Sequence, residues 1–392
     1  MKTNSLFDNT EAAFQLKNDS QLERAYFLFK MISNEPLVRI GTAVTKFALN
    51  VHLPVEGLIR STVFDHFCGG VNEDDCMPVV DSLYNVGVSS VLDYSVEGKE
   101  GSDQLDATLI KILELTDFAE TKKAMPFSVF KPTGLGRFEL YQKVTENIEL
   151  SEEESQEWKR LESRFDKASK AAFDANVTLL IDAEETWMQN AADDLCEKMM
   201  VKYNKERAVV FNTLQCYRWD RLDYLKEEHR KAKEGGYKIG FKIVRGAYLE
   251  KENERAEEKG YPTLMHKSKQ ETDDCFNKIM RYMLDNLDTI EIFIGTHNEE
   301  SNYLAMEIMK EKNIAMNDSR VWFGQLYGMS DHITFNMASL GYNIAKYIPF
   351  GPVKDVMPYL IRRAEENTSV AGQTSRELSL LKKEKERRKG KE

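Results

Sequence analysis

The stretch PYLIRRAEEN (358–367) sets Tyr359, Arg362, Arg363 and Glu366 at offsets 0, +3, +4 and +7, one stripe along a helix face. Two neighbouring guanidiniums suit a small carboxylate, because arginine presents a planar fork for charge-assisted, bidentate bonds. A surface lattice of ion pairs with Glu365 and Glu366 is the competing reading of the same residues. Tyr359 within the stripe, and Leu360, Ile361 and Ala364 on the other face, weigh against that lattice.

Further polar side chains recur at the ends of short apolar runs. They are Asp93 and Tyr94, Lys131, Asp182 with Glu184 and Glu185, Gln215, Arg245 with Tyr248, Thr296 with His297 and Asn298, Gln325, and Tyr347. A metal-assisted reaction could recruit Asp182, Glu184 and His297, but Gln215 and Arg245 are poor ligands. Lys131 could form a Schiff base; an ion-pair partner is the simpler role. No P-loop or G-x-G-x-x-G follows an apolar run, and the six histidines include no H-E-x-x-H pair.

The elements that must position these residues are legible as eight near-continuous apolar runs: SSVLDYS (89–95), FSVFK (127–131), VTLLID (177–182), AVVFNT (208–213), IGFKIVR (239–245), IEIFIGT (290–296), RVWFGQ (320–325) and IAKYIP (344–349). Runs that are apolar throughout, rather than alternating, suit parallel strands buried on both faces. Stretches long enough for helices separate them. Eight such units over about 270 residues match an α/β fold, a (β/α)8 barrel, with an open doubly wound sheet as the alternative. In such a barrel the chemistry sits at the strand C-termini. The helix after the eighth strand then turns its first half towards the same mouth.

Residues 1–85 read as a helical extension carrying QLERAYFLFKMI, LVRIGTAVTKFALNV and EDDCMPVVDSLYNVG. The barrel is expected over 86–375 and a charged tail over 376–392. Between the second and third strands, ELSEEESQEWKRLESRFDKASKAAFDA predicts one or two surface helices, with a capping box at Ser151 and Glu154.

The chain has 392 residues, a formal charge of −11 and 42% hydrophobic residues. The acidic balance argues against a general nucleic-acid binder. No run of about 20 apolar residues predicts a membrane-spanning helix. The first residues lack a signal-peptide core. Cys68, Cys76, Cys196, Cys216 and Cys275 are scattered, as expected of reduced thiols in a cytoplasmic protein. The tail LKKEKERRKGKE reads as a solvated end. Contact with an anionic inner-membrane surface is the alternative.

Taken together, YLIRRAEEN, VLDYSVEG (91–98), FKPTGLG (130–136), LLIDAEET (179–186), FNTLQCY (211–217), KIVRGAYLEKE (242–252), GYPT (260–263), GTHN (295–298), FGQLYGM (323–329) and KYIPFG (346–351) resemble the proline dehydrogenase family, in its order, over residues 60–375. The resemblance implies a distorted (β/α)8 barrel that binds FAD without a covalent bond. It implies oxidation of L-proline to Δ1-pyrroline-5-carboxylate by hydride transfer, with electrons passed to a membrane quinone. Since the chain is too short for a fused aldehyde dehydrogenase, a separate pyrroline-5-carboxylate dehydrogenase is expected downstream. A hydroxyproline dehydrogenase of the same family, a metal-dependent barrel lyase and a silent binding barrel are the alternatives.

By resemblance, Arg362 and Arg363 bind the proline carboxylate and Glu366 pairs with Lys131. Tyr359 and Tyr347 pack on the substrate ring, and Leu326 and Tyr248 close the pocket. Asp182, Lys242, Lys131 and Tyr248 are the expected catalytic residues. Asp182, Gln215, Val244, Arg245, Gly246, Ala247, Tyr248, Thr296, His297, Asn298, Gln325, Arg363 and Glu366 are expected around the flavin, with no metal. Many bacterial relatives carry Arg, two apolar residues, then Lys before Gly-Ala-Tyr; here the order is Lys242, Ile243, Val244, Arg245. Lysine is a point donor and cannot reproduce the arginine fork. The hydroxyproline branch has a small residue where Tyr347 stands, so the tyrosine favours proline.

Overall fold

The structure is a computed structural model that describes residues 6–34, 36, 56–95, 101–369 and 373–390. The side chains of residues 56, 58, 61, 102, 364–369 and 373 lie outside that description. So does the expected helix LVRIGTAVTKFALNV.

All eight apolar runs are strands: β1 Ser89–Tyr94, β2 Phe127–Phe130, β3 Thr178–Ile181, β4 Val210–Gln215, β5 Ile239–Val244, β6 Ile290–Gly295, β7 Val321–Leu326 and β8 Ile344–Phe350. They close into a barrel in chain order. The described strand pairings are parallel, from Ser89 opposite Ala345 to Gly295 opposite Gly324. β4 and β8 are buried at every position, which is why they carry no polar–apolar alternation. The doubly wound alternative is excluded by this closure.

The chain divides into two compact units. Gly98–Gly324 forms one. In its interior Phe127 meets Phe293 and Trp322 edge-on, with centroids 5.2 and 4.9 Å apart. Glycine is required where strands present flat surfaces to these rings: a Cβ on Gly240 would lie 2.4 Å from Phe211, and one on Gly324 would lie 2.3 Å from Phe293. The segment between β2 and β3 folds as two helices, Phe138–Thr145 and Glu152–Asp174. Ser151 caps the second reciprocally: its hydroxyl accepts from Glu154 N at 3.2 Å, and the Glu154 carboxylate accepts from Ser151 N at 3.0 Å.

The other unit comprises Met1–Glu97 and Gln325–Glu392. It holds the β1–β8 pair and the helices Asp19–Ile32, Glu73–Tyr84, Asp331–Ser339 and Val353–Ser369. The expected solvated end is corrected here: Gln373–Lys389 is a helix. Its Leu380 and Leu381 are buried with Phe14, Leu22, Ala25 and Phe29. The basic residues that suggested a free tail are paired: Lys385 with Glu23 and Arg388 with Asp19 at 2.7 Å, and Arg387 with Glu11 at 3.1 Å. Glu384, fully buried, receives Arg387 and Arg388 from its own helix.

Candidate active site

In the 98–324 unit the expected residues gather at the strand ends. Asp182 follows β3, its N–H donating to Phe130 O at 3.0 Å. Its carboxylate stands between two ammonium groups: Lys131, after β2, donates to one oxygen at 3.1 Å, and Lys242, within β5, to the other. Burial would raise the Asp182 pKa, but the attraction of Lys242 and Lys131 outweighs it and leaves the carboxyl below its ordinary range.

Two residues on, Glu184 has the opposite balance. Its oxygens accept from Thr133 N at 2.9 Å and Thr133 Oγ1 at 2.7 Å. Burial dominates those bonds and raises its pKa to about 7. Gln215, at the end of β4, donates from Nε2 to Glu184 O at 2.7 Å. Glu184 thus ties the loop after β2 to the ends of β3 and β4.

Arg245, after β5, is held in a fork of its own. Nε donates to Asp273 at 2.6 Å, one terminal nitrogen to Thr296 Oγ1 at 2.6 Å and the other to Ser301 Oγ at 3.0 Å. The guanidinium carbon lies 4.6 Å from the Phe276 ring centroid. Thr296 also takes the N–H of Asn298 at 3.1 Å, and Asn298 Oδ1 caps the Glu299–Glu311 helix through Ser301 N at 2.9 Å. His297 is half-buried between them in sequence. Val244 and Gly246 are half-buried, Ala247 is exposed, and Tyr248 is half-buried at the head of the Leu249–Lys259 helix. Gly246 has φ +125°, and a Cβ there would sit 2.5 Å from the Tyr217 ring, so no side chain fits.

The remaining expected residues belong to the other unit. Tyr359, Arg362 and Arg363 lie on the Val353–Ser369 helix. Arg363 stacks over Tyr359, 5.2 Å from its centroid, as the i, i+4 spacing requires. Tyr359 is buried with Leu360, Val356, Phe64 and Phe67, and Leu326 packs against the same cluster. Tyr347, in the middle of β8, is buried, and its carbonyl accepts from Tyr327 N at 2.8 Å. Gln325 Oε1 accepts from the Thr334 hydroxyl at 2.8 Å. The Glu366 side chain lies outside the described residues; the ion-pair partner described for Lys131 is Asp182.

The sequence offered Glu184 only as a possible metal ligand, not as the tie between loops that it is, and it assigned no role to Asp273 and Ser301 behind Arg245 or to Lys346 within β8. The only signal for Lys346 was a charge inside an otherwise apolar run. Among the described residues no three His, Cys, Asp or Glu side chains stand together as metal ligands.

A family model described as Proline dehydrogenase matches residues 76–376. The carbapenem antibiotics biosynthesis protein CarD of Pectobacterium carotovorum subsp. carotovorum is 36% identical over 333 residues, 85% of this chain and 86% of that protein. Proline dehydrogenase 2, mitochondrial, of Arabidopsis thaliana is 31% identical over 374 residues, 84% of this chain and 79% of that one. A crystal structure of proline utilization A from Bdellovibrio bacteriovorus, inactivated by N-propargylglycine, superposes with a TM-score of 0.72 at 19% identity. It covers 95% of this chain, which spans 40% of that structure's length. The chain belongs to the proline dehydrogenase family.

Proposed function

We propose that this family member oxidises L-proline to Δ1-pyrroline-5-carboxylate with FAD as its cofactor and a membrane quinone as the final electron acceptor. A separate pyrroline-5-carboxylate dehydrogenase then consumes the product. The observation that carries the reading is the stripe of Tyr359, Arg362 and Arg363 on one helix, with Arg363 stacked on the tyrosine. No described helix is long and apolar enough to cross a membrane, so the quinone would be met from outside the bilayer core.

The substrate side falls to residues 326–363. Arg362 and Arg363 clamp the carboxylate, each charge-assisted bond contributing about 1.5–3 kcal/mol. Tyr347, Tyr359 and Leu326 wall the ring and exclude water. The clamp acts away from the reacting carbon, so its binding energy goes into orientation. The bulk of Tyr347 favours proline over its hydroxylated relative.

The cofactor side falls to residues 131–298. Lys242, Arg245, Gln215, Thr296, His297 and Asn298 form a donor-rich set, and Gly246 and Ala247 add little side-chain bulk beside it. Such a set fits a large anionic group rich in acceptors, as FAD is. When bound, the flavin supplies the hydride acceptor. Asp182, held below the ordinary carboxylate range, stays ionised at neutral pH and is a poor proton acceptor. Its part is to fix Lys131 and Lys242, and Tyr248 lies next to the glycine-bearing turn.

Anaerobic addition of L-proline should bleach the flavin absorbance of the purified protein. Arg363→Met should lower kcat/KM for proline by about 100-fold or more, mainly through KM, with flavin content unchanged. Protein that purifies without flavin, or an Arg363→Met variant with normal proline affinity, overturns the reading. Tyr347→Ser should cost proline turnover more than 4-hydroxyproline turnover; equal losses would remove Tyr347 as the selectivity determinant.

A further inference from the structure

The loop that joins β7 to the Asp331–Ser339 helix is gripped at nearly every peptide. Tyr327 N donates to Tyr347 O at 2.8 Å. Lys346 Nζ donates to Leu326 O at 3.3 Å and to Met329 O. His66 Nε2 lies 2.9 Å from Gly328 O, and Ser330 N donates to Glu377 at 2.5 Å. Gly328 has φ +79°, and a Cβ on it would lie 2.3 Å from His66 O. Ser330 adopts φ +52°, a conformation that a residue with a side chain keeps only where its surroundings over-determine it.

The central donor is an expensive one. The Lys346 side chain is 1% exposed, and its ammonium is neutralised by Asp331 at 3.0 Å. Asp331 in turn is shared with Lys17 at 2.8 Å. A buried ion pair is weak evidence for stability, since an apolar side chain of similar volume often does as well. Methionine would fill the same space in β8. What it cannot supply is a fixed cationic donor reaching two carbonyls three residues apart. Lys346 therefore does something packing alone would not: it fixes where Leu326 stands relative to β8, the strand that carries Tyr347.

We propose that Lys346, backed by Asp331 and Lys17, is a positioning residue for proline oxidation, setting the loop that presents Leu326 and so the fit of the wall to the substrate ring. The proposal rests on reading Leu326 and Tyr347 as ring-binding residues. It separates two parts of recognition. The arginines of the carboxylate clamp lie on the Val353–Ser369 helix, outside this loop. Loosening the loop should therefore weaken recognition of the ring and spare recognition of the carboxylate.

The test compares flavin-loaded wild type with Lys346→Met by L-proline kinetics, by competitive inhibition with acetate, and by amide hydrogen exchange at residues 327–330. Acetate offers a carboxylate without a ring. Loss of one charged donor predicts a KM for proline raised about tenfold, with kcat and the acetate inhibition constant each within about twofold. Exchange at 327–330 should quicken about tenfold or more. Lys17→Met leaves Asp331 paired with Lys346 and should shift KM and exchange the same way, by about threefold or less. A rise of KM and the acetate constant together, or unchanged KM and exchange, overturns the proposal. Should Lys346→Met not fold, unchanged exchange and KM in Lys17→Met overturn it instead. Wild-type protein that proline does not reduce sinks the functional reading alone, and exchange then still decides whether Lys346 holds the loop.

Discussion

Asp182 and Asp331 each stand between two lysines, and in each case one lysine comes from within a strand: Lys242 in β5, Lys346 in β8. The inventories match but the directions differ. Phe241 meets Tyr224 of the Arg221–Gly235 helix edge-on at 6.2 Å, so Phe241 faces the helical layer and Lys242, the next residue, faces the barrel. In β8 it is Lys346 that reaches the Asp331–Ser339 helix, so Tyr347 takes the barrel side. Lys131 keeps a half-buried ammonium beside Asp182, whereas Lys346 is closed off and spends two bonds on main-chain carbonyls. One residue of strand parity thus separates a lysine turned to the barrel interior from a lysine that holds a loop.

The comparison can be broken from either end. The largest effect is expected at Asp331, where Asn would leave two lysines without their shared counter-charge and cost about 3–5 kcal/mol of unfolding free energy. Burial pushes the Asp331 carboxyl up, but Lys17 and Lys346 outweigh it and hold it well below the usual range. A depressed acid stabilises the fold above its unfolded pKa and loses that contribution as pH falls. Denaturant titrations should therefore show the Asp331→Asn deficit shrinking below about pH 4. An unchanged midpoint at pH 7 would deny Asp331 its structural role.

Asp182→Asn should divide its effects the other way. Loss of the group that fixes Lys131 and Lys242 predicts a fall in kcat/KM for proline of about 100-fold, with a stability loss less than half that at Asp331. Equal stability losses at the two sites would erase the distinction.

Glu184 gives the smallest and most diagnostic change, because it is a buried acid bonded to a hydroxyl and an amide rather than to an ammonium. Its folded pKa of about 7 lies above the unfolded value, so the folded protein holds an extra proton between about pH 4.5 and 7 and loses stability as pH rises across that window. Glu184→Gln keeps both bonds with Thr133 in reach and removes the ionisation. It should be more stable than wild type by on the order of 1–3 kcal/mol at pH 8, and by nothing near pH 4. A constant difference at all pH values would contradict the titration.

The strands were legible because burial on both faces leaves an unbroken apolar run, and all eight fall where such runs occur. The Ser151–Glu154 cap was legible because both partners lie within one turn. The Lys17–Asp331 pair was not: its members are 314 residues apart, and neither spacing nor composition links them. The terminal helix was misread for a related reason. Leu378, Leu380 and Leu381 are three apolar residues among many charges, and carboxylates that pair with those charges, Glu11, Asp19 and Glu23, stand at the other end of the sequence. The family resemblance placed Arg245 at the cofactor; its grip on Asp273, Thr296 and Ser301 draws on three further elements.

The packing of Gln373–Lys389 on Asp19–Ile32 also sets a timetable. The Gly98–Gly324 unit comes from one uninterrupted stretch and can condense while synthesis continues. Phe14, Leu22 and Phe29 must wait for Leu380 and Leu381, and β1 must wait for β8. At translation rates of about 5–20 residues per second, the apolar side of the first helices stays uncovered for roughly 20–70 seconds. A nascent chain with that delay offers a holdase chaperone its earliest and longest-lived target in these first helices.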